Sequence, residues 1–247
     1  RIMVINISLI LPCYNEEKNI PLLYKEFLEI PLSDYKAELI FVNNGSKDNT
    51  KEEIEKVIKK NSHNNIQVNL VDLEKNAGYG GGISEGLNIA QGDYIGWSHA
   101  DLQTPLKDFF TLFLKIKNKK DILGKGYRTN HRGFDGIVSR FHEYLTSLIL
   151  GYKMKEINAQ PKIFNKELIK NFSDMPHKST VLDTYVMYKC LKKGVKIETI
   201  DVVFNNRRYG ESKWKSNFIN FISHIFFNLI YLFKLRFSKN NNDSIQK

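Results

Sequence analysis

Cysteine is nearly absent from this 247-residue chain: Cys13 and Cys190 are the only two, far apart and in no CxxC or His-rich setting. That argues against a disulfide scaffold and leaves two buried thiols in a reducing compartment as the expectation. A positively charged leader with a cleavage site is missing, so nothing points to secretion, and no internal repeat is apparent. The first residue is Arg rather than Met, so a start upstream of it is expected. There is no GK[ST] phosphate loop and no convincing dinucleotide fingerprint. Acidic residues are in deficit, 27 against 37 basic, and the net charge of +10 favours an anionic partner: nucleic acid, a phosphorylated ligand or a membrane surface. The densest apolar run, residues 218–233, would extend roughly 24 Å as a helix, short of the roughly 30 Å hydrocarbon core of a bilayer.

The 42% of residues that are hydrophobic suffice for a substantial core, and one domain is the better expectation at this length. Apolar, β-branched strands are expected at residues 2–11 (closed by Pro12), 38–42, 66–73 and 94–97. Helical spacing appears at 19–30, 51–60 (with caps offered by Asp48, Asn49 and Thr50) and 83–90, where a glycine-rich loop at 76–82 leads in. Further on, 122–126, 161–164 and 195–204 read as extended, and 137–150 and 182–193 as helices. Such alternation implies an α/β fold with a mostly parallel central sheet covered on both faces. Ligands then bind outside the carboxyl ends of the strands, where the polar clusters after strands one, two and four all fall.

Residues 99, 101 and 103 end the fourth strand. In extended backbone alternate side chains point the same way, so His99, Asp101 and Gln103 converge if the strand runs on that far. Imidazole, carboxylate and amide oxygen suit magnesium or manganese on a diphosphate; the plain alternative is a polar strand end before a helix that Pro105 opens. Gly78-Tyr79-Gly80-Gly81-Gly82, with Gly86 a turn later, either offers amides to a phosphate or lets a helix pack tightly on a strand. The loop from Arg207 to Lys215 carries four cations and two aromatics around Gly210, which favours an ordered, phosphate-closing loop; Lys125, Arg128, Arg132 and Arg140 form a second basic set, either for a phosphate or as surface cations flanking a helix. On 218–233 a narrow polar stripe marks either a membrane-interface helix, with flanking Lys and Arg for head groups, or a core or dimer-interface helix.

Taken in order, these motifs resemble glycosyltransferase family 2 of the GT-A fold, in the branch of dolichyl-phosphate mannose synthase and related polyprenyl-phosphate glycosyltransferases. Leu11-Pro12-Cys13-Tyr14-Asn15-Glu16-Glu17 is similar to the opening strand and loop, and Phe41-Val42-Asn43-Asn44-Gly45-Ser46-Lys47-Asp48-Asn49-Thr50 to V-D-D-G-S-x-D-x-T. Asn76-Ala77-Gly78 follows, then His99-Ala100-Asp101-Leu102-Gln103-Thr104-Pro105 where the family has D-A-D-L-Q-x-P. Arg208-Tyr209-Gly210-Glu211-Ser212-Lys213 resembles R-x-x-G-x-S-K, and the likeness covers roughly residues 6–215.

The resemblance implies a Rossmann-like catalytic domain over 1–216, an amphipathic interface helix at 217–237 and a disordered polar tail at 238–247. By it, Pro12, Tyr14, Asn15, Glu16, Asn44, Lys75, Gly78 and Asp101 bind a nucleoside-diphosphate sugar, linked to GDP or UDP. His99, Asp101 and Gln103 hold Mn2+ or Mg2+, and Arg128, Arg140, Gln160, Arg208, Ser212 and Lys213 grip the acceptor phosphate or donor diphosphate. The implied activity is inverting, metal-dependent sugar transfer to a polyprenyl phosphate, catalysed around Asp101, by a cytoplasmic protein at the inner membrane face. A saccharide or lipid-linked glycan hydroxyl would need a base, for which Asp183 is the candidate, with a helix N-cap as its other reading. A non-catalytic nucleotide-sugar or membrane-binding module is the third reading. An oligomer is compatible with all of these, and nucleic acid ranks last because the basic residues cluster around the metal-type site.

Three departures from the family pattern stand out. Asn43 and Asn44 replace two aspartates, which implies an altered nucleotide preference. His99 replaces the first aspartate of the metal motif, which leans the site towards manganese. Asn158-Ala159-Gln160-Pro161-Lys162 stands where an Asp and a Gly are usual, with Gln160 expected to face sugar or acceptor.

Overall fold

The computed structural model of the protein describes residues 6–32, 34–130, 133–170, 172, 175–176, 181–209 and 218–237. The chain divides into two compact units, Arg1–His131 with Asn158–Glu211 and Arg132–Ile157 with Ser212–Lys247.

The first unit is built by alternation: β1 (Ile7–Cys13), α1 (Ile20–Leu28), β2 (Ala37–Asn44), α2 (Thr50–Lys60), β3 (Ile66–Leu73), α3 (Gly78–Ile89), β4 (Tyr94–Trp97), α4 (Leu106–Ile116) and β5 (Ile122–Arg128). After α5 (Gly133–Leu150) of the second unit it resumes with β6 (Lys162–Asn165), the short α6 (Lys166–Ile169), α7 (Leu182–Lys192) and β7 (Lys196–Val202). The strands form one sheet in the order β3-β2-β1-β4-β6-β5-β7. β1 runs parallel to β2 and β4, β2 to β3 and β5 to β7, whereas β6 is antiparallel to β4 and β5. The carboxyl ends of six strands and the amino end of β6 therefore share one edge. That reversal delivers Gln160 and Lys162 to the edge where the other strands finish.

Alternation along β1 sets the two layers. Ile7, Leu9, Leu11 and Cys13 join a core cluster with Ile20, Leu23 and Phe27 of α1, Ile54 of α2 and Phe109, Leu112 and Phe113 of α4. Ile10 and Pro12 face α3 on the other side: a Cβ on Gly86 would meet Ile10 Cγ2 at 2.4 Å, and one on Gly82 would meet Pro12 Cβ at 3.3 Å. The glycine cluster is thus the first half of a helix, not a loop, and tight packing is the reason for it. β1 also continues through Pro12 instead of ending there. Its pairing with β4 stops at Ile10, so the missing N–H falls beyond that ladder. The N-terminus of α4 is capped from a distance, where Leu106 N–H donates to Glu26 Oε1 of α1 at 2.7 Å.

In the second unit α5 packs against α8 (Phe218–Phe237), and Arg236 donates to the Leu150 carbonyl at 2.8 Å. Gly151, at φ +75°, lets the chain turn beneath that guanidinium. Ile137, Phe141, Tyr144 and Leu148, four and three residues apart on α5, are each more than 60% exposed, and Phe233 and Phe237 of α8 are exposed too. Among the described residues no helix is long and apolar enough to cross a membrane. The tail expected at 238–247 lies outside the described residues.

Candidate active site

The loops after β1 and β2 are zipped together by side chains. Asn15 N–H donates to Ser46 Oγ at 3.0 Å, Lys47 N–H to Asn15 Oδ1 at 2.8 Å and Glu16 N–H to Thr50 Oγ1 at 2.8 Å. Asn15 holds a left-handed φ of +57°, which an asparagine tolerates best after glycine. Its side chain is therefore spent on the loop, while Pro12 and Tyr14 lie half-buried at the strand end. Glu16 is pushed up to about 7 chiefly by burial, partly relieved by the Asn19 amide and reinforced by the negative charge of Asp101.

The two asparagines of the second loop explain themselves. Asn44 accepts from Ala77 N–H at 2.8 Å and donates to the Gly78 carbonyl at 2.9 Å, clamping the start of α3. An aspartate could not make the second bond. Gly78 N–H donates to Asn76 Oδ1 at 2.8 Å. Asn44 and Gly78, both expected on the nucleotide side, are bonded to each other and to this turn. Lys75 is exposed on the same turn, whose backbone packs on Gly45. Asn43 donates to Asp72 Oδ1 at 2.7 Å, and Lys51 pairs with Asp72 at 2.6 Å; a carboxylate at position 43 would face Asp72 unfavourably.

Beyond β4 the chain does not stay extended. Leu102 turns at φ +59°, and Gln103 N–H donates to Asp101 Oδ1 at 3.1 Å. The expected metal trio thus meets through a side-chain-stabilised turn, not through strand alternation. Asp101 is 3% exposed. Its Oδ2 lies 3.0 Å from Arg207 Nη2 and 3.7 Å from His99 Nδ1. Burial acts to raise this carboxyl, but His99, Arg207 and the Gln103 amide outweigh it and hold it below the usual range. Gln103 Nε2 donates to the Asn205 carbonyl at 2.9 Å, and its Oε1 accepts from Arg207 Nε at 3.3 Å.

Among the described residues no three His, Cys, Asp or Glu side chains form a metal cluster. The fit to a cation rests instead on a mixed set: Asp101 Oδ2 and Gln103 Oε1 both touch one guanidinium, with His99 beside them. A buried anion and an amide oxygen converging on a positive charge suit a hard divalent ion, and an imidazole is acceptable to manganese.

One layer in from this point lies a second buried anion. Asp183 is the second residue of α7, with Val181 at the N-cap, so it does not cap the helix. Its Oδ1 accepts from Trp97 Nε1 at 3.1 Å and pairs with Lys162 Nζ at 3.0 Å; its Oδ2 accepts from Tyr79 OH at 3.2 Å and Gln160 Nε2 at 3.1 Å. Gln160 Nε2 also donates to Tyr79 OH at 2.8 Å, and the Tyr79 ring lies edge-on to His99 at 6.0 Å. Burial, then the charge of Asp183, pushes the Tyr79 hydroxyl well up. Lys162 is 0% exposed. A lysine inside the apolar stretch Pro161-Lys162-Ile163-Phe164 was the signal that a buried counter-charge had to exist.

Each basic residue has its own setting. Arg128, at the end of β5, stacks 5.7 Å over Phe204. Arg140 lies exposed on α5, in the second unit. Arg208 lines a cleft of about 650 Å3 beside α1 with Lys25, Glu26 and Lys107, and it is Arg207 that reaches Asp101. Three places before Gly210 stands Arg207, so R-x-x-G spacing itself indicates Arg207. Ser212 and Lys213 lie outside the described residues.

Residues 8–172 match the family model described as glycosyl transferase family 2. The dodecaprenyl-phosphate galacturonate synthase of Rhizobium johnstonii is 25% identical over 85% of this chain and 62% of its own length. A prophage bactoprenol glucosyl transferase homolog of Escherichia coli is 28% identical over 85% and 68%. The chain spans about two thirds of the length of the curated relatives it matches. Among solved structures, glucosyl-3-phosphoglycerate synthase from Mycobacterium tuberculosis, in complex with Mn2+, UDP and glucosyl-3-phosphoglycerate, superposes at a TM-score of 0.67 with 19% identity over 96% of this chain and 81% of that one. With two thirds of its residues inside the family model, and a mostly parallel seven-stranded sheet of the GT-A kind, this chain belongs to glycosyl transferase family 2.

Proposed function

We propose that this protein transfers a sugar, with inversion, from a nucleoside-diphosphate sugar to a polyprenyl phosphate at a membrane surface. The observation that carries the reading is the buried Asp101 carboxylate at the strand-end edge, aimed with His99 and Gln103 at one cationic point. What supports the acceptor class is that the relatives matched are named for dodecaprenyl phosphate and bactoprenol. Their greater length makes the whole activity a proposal for this chain.

In this reading a lipid-phosphate oxygen forms a bond to the anomeric carbon as the bond from that carbon to the donor diphosphate breaks, and the electron pair leaves with the nucleoside diphosphate. His99, Asp101 and Gln103 would hold Mn2+ or Mg2+, which supplies charge stabilisation to the departing diphosphate. Pro12, Tyr14 and Glu16 line the nucleotide side; Arg128 and Arg207 stand at the edge with fixed positive charge for phosphate oxygens. Arg140, Ser212 and Lys213 are assigned to the same anions by resemblance.

An acceptor phosphate is anionic at neutral pH and needs no general base. Asp183 is enclosed by four donors, Lys162, Trp97, Tyr79 and Gln160, and in this reading it shapes the wall of the pocket. Gln160, held by Asp183 and Tyr79, belongs to that wall. The exposed apolar row on α5 and the Phe233–Phe237 end of α8, flanked by Lys234 and Arg236, support seating on a membrane surface with anionic head groups.

The test is a screen of UDP- and GDP-sugars with Mn2+ against polyprenyl phosphate and glycan acceptors, read by mass spectrometry. A glycosyl phospholipid that Asp101→Ala abolishes is expected. Product on a glycan alone would overturn the acceptor, and no transfer or donor hydrolysis with any metal would leave a binding module.

A further inference from the structure

A cation already occupies the convergence point, and the chain carries it. Arg207 Nη2 lies 3.0 Å from Asp101 Oδ2 and its Nε donates to Gln103 Oε1. The segment bearing Arg207 is strapped across the strand ends by paired bonds. Asn205 N–H donates to the Gln103 carbonyl at 2.8 Å and Gln103 Nε2 returns to the Asn205 carbonyl. Asn130 brackets Phe204 in the same way, Nδ2 to the Phe204 carbonyl at 2.8 Å and Oδ1 from its N–H at 3.1 Å. The strap is anchored at Phe204 and Asn205, just ahead of Arg207, whereas the Arg207 side chain is 31% exposed and has water within reach.

A guanidinium keeps its charge at any physiological pH. It and a divalent ion cannot both contact Asp101 Oδ2 without strong repulsion. Phosphate oxygens are better partners for a guanidinium than a single carboxylate oxygen, because they accept its planar fork in pairs. We propose that Arg207 is a tethered counter-ion that competes with the divalent cation for Asp101, and that an arriving nucleoside diphosphate opens the site by drawing the guanidinium away. The arginine would then neutralise Asp101 in the empty protein and couple metal loading to donor loading. The identity of the anion rests on the nucleotide-sugar reading above; the competition does not.

Mn2+ binding to the full chain, followed by the electron paramagnetic resonance of the free ion, tests this without any turnover. Without nucleotide, Arg207→Gln should bind Mn2+ about tenfold more tightly than the wild type, the scale of one lost charge-assisted bond, and Arg207→Lys should stay near the wild type. UDP or GDP should tighten Mn2+ binding strongly in the wild type and by a smaller factor in Arg207→Gln, since linkage leaves less competition to relieve. Asp101→Asn should remove the site in both backgrounds. Thermal melting of each variant separates a lost ligand from a lost fold. Equal or weaker Mn2+ binding by a folded Arg207→Gln protein would overturn the competition while leaving the transferase reading intact. No Mn2+ binding by either protein, with nucleotide sugar still bound, would overturn the cation reading of the site and the competition with it.

Discussion

Asp101 and Asp183 are equally buried, at 3% and 2% exposed, and they are compensated in opposite ways. Asp183 receives donors from α3, β4, the entry to β6 and β6 itself, and its counter-ion Lys162 is wholly enclosed. Losing Lys162 would leave a buried charge unpaired, and losing any other of these donors would leave a buried acceptor short of a bond. Asp101 receives one amide from its own turn, an imidazole at 3.7 Å and a guanidinium that reaches water. A buried charge whose partner is locked in holds the fold together. A buried charge whose partner can be exchanged is a place for a ligand.

The sharpest way to break this contrast is to remove each counter-ion and measure stability by denaturant unfolding. Lys162→Met should cost about 3–5 kcal/mol, because Asp183 is left charged and buried. Arg207→Gln should cost less, about 1.5 kcal/mol, the scale of one charge-assisted bond from a guanidinium that is 31% exposed. Equal losses would erase the distinction.

Next in size is the effect on chemistry. Asp101→Asn should lower kcat by about 10²–10³-fold, as expected for loss of a group that organises transition-state charge. Its melting temperature should shift far less than that of Lys162→Met. A steady-state assay beside a thermal melt reads both.

The smallest effect concerns Glu16, whose carboxyl rises from 4.5 to about 7 through burial and its neighbour Asp101. A raised acid favours the folded state while protonated, so its contribution is full below pH 4.5 and is lost as pH climbs through about 7. Wild type should therefore lose stability relative to Glu16→Gln across that window. A pH-independent difference between the two melts would overturn the raised Glu16 carboxyl.

Much of the architecture was legible because local pattern and burial agree. The strands at 66–73 and 94–97 fall where their apolar residues lie: β4, inside the sheet, is buried at every position, whereas the edge strand β3 alternates buried Ile66 and Val68 with half-buried Gln67 and Asn69. Two local readings failed for reasons outside their own windows. The glycines at 78–82 looked like a loop, yet they open α3, where Gly82 packs on Pro12 and Gly86, a turn on, packs on Ile10. Pro12 looked like a strand end, yet β4 stops short of it.

By itself the sequence determined the alternation of strands and helices, the edge that carries the polar clusters, the family and the place of His99, Asp101 and Gln103, because each depends on neighbours a few residues apart. Only the tertiary structure decided which charges are paired. Asp183 meets Lys162 because β6 runs against the other strands and returns position 162 to their carboxyl edge. Arg207 meets Asp101 because Gln103 and Asn205 bind each other across about a hundred residues of chain. Long-range pairing follows from how strands are ordered and directed, and that order is set by packing the whole sheet rather than by any one segment.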